Sequence, residues 1–81
     1  MFHCTEYFKY TRKRKDRLSI KDEYIEYTLN NFEKEEMQSD GRIRRWAFIK
    51  EENKYLRIII LPDKITVHNA FYDRNYKGDK T

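Results

Sequence analysis

At 81 residues, net charge +4, 40% charged residues and a mean hydropathy of -1.11, the chain has room for one small domain with one small core. Cys4, its only cysteine, excludes an intramolecular disulfide. No apolar run approaches the roughly 18 residues of a membrane helix, and the N-terminus lacks an apolar secretory core. Such charge alone suits a disordered coil, but 16% aromatic residues and the run "YLRIIIL" (Tyr55–Leu61) demand burial, so a folded domain in a reducing cytoplasm is expected.

The first predicted element is a helix over residues 5–16. Thr5 caps it, Tyr7, Phe8 and Tyr10 anchor it, and the basic run "RKRKDR" lies at the dipole's favourable end. The segment "MFHC" before it is too short for a strand. A second helix spans 20–31: Ser19 with Asp22 and Glu23 resembles a capping box, and Tyr24, Ile25, Thr28, Leu29 and Phe32 form one apolar face. Strands follow at about 33–38, 42–50, 55–61 and 64–71, with Asp40-Gly41 as a hairpin turn. The expected fold class is α+β: two N-terminal helices on one face of a four-stranded antiparallel meander, the other face open.

Strand alternation assigns faces. A two-residue loop at Pro62-Asp63 sets Ile58 opposite Val67, Ile60 opposite Ile65 and Arg57 opposite His68. A four-residue loop over 50–53 sets Phe48 opposite Tyr55 and Trp46 opposite Arg57. The outer face then carries a row of Trp46, Arg57 and His68. Shifting the second loop by one residue instead turns Trp46 and Phe48 into the core.

Charge is unevenly spread. Residues 9–17 hold six basic side chains against Asp16; residues 33–40 hold four acids against Lys34; residues 41–81 hold ten basic side chains against five acids. The basic patches suit a polyanion, and equally suit plain solubility. Arg12, Lys13, Arg14, Lys15 and Arg17 are expected to hold an RNA backbone, with Arg42, Arg44, Arg45, Trp46 and Arg74 extending the surface. Arg57 beside His68 suits phosphodiester cleavage: the guanidinium stabilises charge on phosphate, and the imidazole moves the proton, with Tyr72 assisting. A solvated strand histidine and a structural arginine are the bland alternatives. His3 and Cys4 lack a second ligand pair, so no metal or other cofactor is expected.

The order of elements, together with Arg14, Arg17, Ile20, Glu23, Ile25 and Leu29, then Asp40-Gly41-Arg42, "LRIIIL" and Thr66-Val67-His68, resembles the RelE/ParE-like superfamily of bacterial toxins over residues 12–76. The resemblance implies a toxin of a toxin–antitoxin module: a metal-independent endoribonuclease cleaving RNA, on the ribosome in many members, or a gyrase inhibitor in ParE-like ones. It implies neutralisation by a small acidic antitoxin, and catalysis by Arg57, His68 and Tyr72. The alternative is a non-catalytic module that binds nucleic acid or protein through the same basic and aromatic face. A third reading keeps the fold with neither activity.

Overall fold

The structure is a computed structural model and describes residues 2–78. Its elements in chain order are β1 (His3–Cys4), α1 (Glu6–Thr11), a 3-10 turn (Lys15–Arg17), α2 (Asp22–Asn31), β2 (Lys34–Met37), β3 (Ile43–Ile49), β4 (Lys54–Ile60) and β5 (Thr66–Tyr72). The sheet has five strands in the order β1-β5-β4-β3-β2. It is mixed: β1 runs parallel to β5, and the other neighbours are antiparallel. The expected fold, two N-terminal helices on a four-stranded antiparallel sheet, is therefore wrong. "MFHC" supplies a fifth strand, which periodicity could not reveal because tertiary pairing alone holds its two residues. His3 lies against Thr66, Cys4 against Val67, and the Thr5 N–H donates to the Val67 carbonyl at 2.9 Å.

The first helix is half its expected length. Thr5 Oγ1 accepts the Phe8 N–H at 3.1 Å, and Phe8 and Thr11 are its buried residues. Residues 12–17 offer no apolar group to bury and crowd like charges, so the helix stops at Thr11 and the chain turns through 3-10 geometry. The second helix starts at Asp22, with Lys21 as N-cap and no side-chain cap, so Ser19 does not form the capping box. Ile20, just before it, is buried in the core.

Phe8, Ile20, Tyr24 and Ile25 meet Ile43, Ile49, Leu56, Ile58, Ile60, Val67 and Ala70 in one core. Leu56, Ile58, Ile60 and Val67 are wholly buried, each contributing about 1.5–3 kcal/mol by removal from water. Arg45 also points to this side. It donates to Glu35 at 2.8 Å and to the Leu29 carbonyl at 3.0 Å, and its guanidinium lies 4.4 Å from the Phe32 ring. It thus fastens the end of α2 to the sheet and is unavailable to RNA.

The β3–β4 register is the first of the two that the sequence left open: Trp46 opposes Arg57 and Phe48 opposes Tyr55. The β4–β5 register is not. Five residues, 61–65, join these strands; the Asp63 carboxylate accepts the Ile65 and Thr66 N–H groups, and Lys64 sits at φ 67°. Ile60 therefore opposes Val67, two residues from the expected pairing, which leaves the faces unchanged. A β-bulge then places Ile59 opposite Asn69, leaving His68 as the extra residue. Beyond the bulge every side chain changes face: Phe71 comes opposite Arg57, and Tyr72 opposite buried Leu56.

Candidate functional site

The bulge disperses the expected catalytic trio. Arg57 faces Phe71, with its guanidinium 4.3 Å from that ring and 6.0 Å from the Trp46 ring. His68 stacks on Tyr7 at 4.9 Å, and its Nδ1 lies 3.1 Å from the Thr5 hydroxyl. That hydroxyl already accepts the Phe8 N–H, so its proton is available to an unprotonated Nδ1. Burial, and the nearby Arg42 charge, push the imidazole below its ordinary value of 6.5, outweighing Asp40. Tyr72 turns toward the helix side, donating to the Ser19 carbonyl at 3.5 Å. Burial and then Glu52 raise its pKa, so it is a poor phenolate. No hydrogen bond, ion pair or ring contact joins Arg57, His68 and Tyr72.

What the outer face does hold is an aromatic–cation layer. Phe71 is approached by the Arg57 guanidinium at 4.3 Å and by that of Arg17 at 5.3 Å. Arg17 also donates to Asn69 Oδ1 at 2.8 Å and to the Ala70 carbonyl at 3.3 Å, at the edge of β5 that β1 leaves uncovered. Asn69 Oδ1 accepts the Ala70 N–H as well, so one amide serves the bulge and holds Arg17.

The outer face is not open. The tail after β5 folds back across it. The Asp73 N–H donates to the Tyr55 carbonyl, and Asp73 Oδ2 accepts Trp46 Nε1–H at 2.9 Å and lies 3.6 Å from Arg57. Burial works against the Asp73 charge, yet the indole, the Asn75 N–H and Arg57 together hold its carboxyl below the usual carboxylate value. Desolvation likewise lowers Arg57 against the opposing pull of Asp73, and Arg57 Nε is buried without a hydrogen-bond partner. Tyr76 stacks on Trp46 with centroids 5.1 Å apart and meets Tyr55 edge-on at 4.8 Å. Trp46, expected on this face, is there but only 4% exposed.

Between this tail, the uncovered stretch of β5 and the 3-10 turn lies a groove of about 800 Å³. Arg17, Lys54, Arg74 and Lys77 line it against one acid, Asp73, and Tyr55, Phe71, Tyr72 and Tyr76 supply aromatic surface. The Lys54 ammonium sits 5.1 Å from the Tyr72 ring, and Lys54, Arg74 and Lys77 are exposed.

The groove takes in only two of the basic residues expected to bind RNA, Arg17 and Arg74. Arg12 is paired with Asp22 and lies over Phe2 and Phe8, and Arg44 and Arg42 stand near Glu36 and Asp40 at 3.9 and 3.7 Å. Lys13, Arg14 and Lys15 are exposed. Lys54 and Lys77 were missed by sequence reasoning, since neither belongs to a basic run. Among the described residues no three His, Cys, Asp or Glu side chains are grouped to hold a metal ion, and no helix is long and apolar enough to cross a membrane. Comparison with family models, curated proteins and solved structures finds no match to this chain.

Proposed function

We propose that this chain binds single-stranded nucleic acid in the groove beside β5, without cleaving it. The observation that carries the reading is the meeting there of four cations with the rings of Tyr55, Phe71 and Tyr72 and a single acid. A strand's phosphates need cations and its unpaired bases need flat rings, which is the pairing that sequence-tolerant single-strand binders use. Lys54 joins the two, with its charge over the Tyr72 face.

Endoribonuclease activity through the expected trio would require Arg57, His68 and Tyr72 to converge on one phosphate. The bulge at His68 sends them to three different surroundings, so the proposal is confined to binding.

Affinity for a fluorescein-labelled oligouridylate, measured by anisotropy across a salt series, tests it. Binding should weaken linearly with log salt, and Lys54→Ala and Lys77→Ala should each reduce the slope by about 0.7, the value for one phosphate of a single strand. A slope that neither substitution alters would reject the groove.

A further inference from the structure

We propose that Trp46 is a guanine-stacking position that Tyr76 occupies in the free protein. This rests on the single-strand reading above and adds a base preference and a competitor to it. Tyr76 presents three features of a bound guanine. Its ring lies on the indole at 5.1 Å with a 25° tilt. A cation, Lys34, stands beside both rings, 5.9 Å from the Trp46 centroid and 5.8 Å from that of Tyr76. At the far edge a proton donor, the Tyr76 hydroxyl, reaches Glu33 Oε2 at 3.1 Å.

The Glu33 backbone is fixed beside that of Trp46, because its N–H donates to the Trp46 carbonyl at 2.8 Å, and from there its exposed carboxylate reaches the Tyr76 hydroxyl. A carboxylate within reach of the edge of a ring stacked on the indole accepts best from two adjacent N–H donors. Guanine carries such a pair on its Watson–Crick edge at N1 and N2, whereas adenine offers only its N6 amine and uracil only its N3–H. The tail holding Tyr76 continues from the groove wall, so a strand lying in the groove reaches Trp46 once Tyr76 lifts. Gly78 marks how closely the tail is seated: at φ 84°, a Cβ there would come within 2.6 Å of the Tyr55 hydroxyl.

If Tyr76 competes with a base, removing it strengthens binding by the factor that its own stacking withheld. One aromatic pair corresponds to roughly two- to tenfold in affinity. The test compares oligonucleotides UUGUU and UUAUU on wild type, Tyr76→Ala and Gly78→Val, with Trp46 emission as the second readout. Gly78→Val displaces the tail with Tyr76 retained, and it serves if Tyr76→Ala fails to fold by circular dichroism. The expected result is a two- to tenfold gain for UUGUU in the variants, a smaller gain for UUAUU, and quenching of Trp46 by the bound strand. Binding that is unchanged or weaker in the variants makes Tyr76 a wall of the groove and overturns the proposal, and equal gains for both strands overturn the guanine assignment. Failure of wild type and variants alike to bind either strand rejects the single-strand reading itself, and this proposal with it.

Discussion

Asp73→Ala is the substitution that weighs most on the outer face. The carboxylate accepts the Trp46 indole N–H at 2.9 Å and the Asn75 N–H at 3.0 Å, and it is the charge nearest to Arg57, at 3.6 Å. Its side chain is 11% exposed and that of Arg57 25%, so water replaces these partners poorly. Loss of a charge-assisted bond to a buried donor, with a half-buried guanidinium left uncompensated, should cost about 2–4 kcal/mol. A domain of this length is expected to have roughly 4–12 kcal/mol of stability in all, so the loss is a large share. Asp73→Asn keeps an acceptor for the indole and removes only the charge, and should cost about 1 kcal/mol. Urea unfolding followed by Trp46 emission measures both, since the chain has one tryptophan. The wild-type advantage over Asp73→Asn should also depend on pH. The folded carboxyl lies below its ordinary value of 3.8, so its contribution is full above that value and is lost as the pH falls through the lower folded one. Two variants that unfold within about 0.5 kcal/mol of wild type would refute the claim that Asp73 ties the tail to the sheet.

His68 gives a second pH effect. Its folded pKa is depressed, so the stability it contributes is complete above the ordinary value of 6.5 and declines as the pH falls through the folded value; His68→Gln should flatten that decline in urea midpoints taken from neutral pH to about 5. Arg45→Ala should cost about 2–4 kcal/mol, because it leaves Glu35 and the Leu29 carbonyl without their donor and bares Phe32, and thermal unfolding will show it. His68→Ala and Tyr72→Phe should leave oligouridylate affinity within about twofold of wild type, because neither removes a cation or a ring from the groove.

Much of the core could be read from the sequence, and the site could not, for one local reason. The apolar face of α2 from Tyr24 to Leu29 and the positive φ of Gly41 follow from periods and turn chemistry that neighbouring residues carry, whereas the pairing of Trp46 with Arg57 was one of two registers that the loop over 50–53 left open. The β5 register hung on a loop whose length is set by Asp63, through its bonds to Ile65 and Thr66, and on a bulge. The bulge shows in the folded chain as a spacing of three between buried Val67 and Ala70, where a regular strand keeps a period of two; in the sequence Ile65, Val67 and Phe71 stay in phase. It reversed the faces of Phe71 and Tyr72 and separated His68 from Arg57. The strand at His3–Cys4 and the return of Tyr76 to Trp46 depend on contacts between residues distant in the chain, which no local pattern encodes.

The most direct test of the account is an amide chemical-shift map of the isotope-labelled protein titrated with oligouridylate, with the RNA run on a gel afterwards. Shifts concentrated at Arg17–Ser19, Asn53–Tyr55 and Phe71–Lys77, on RNA that stays intact, are the predicted result. Shifts centred on Lys13–Lys15 or on Glu35–Met37, or cleaved RNA with the effect lost in His68→Ala, would contradict it.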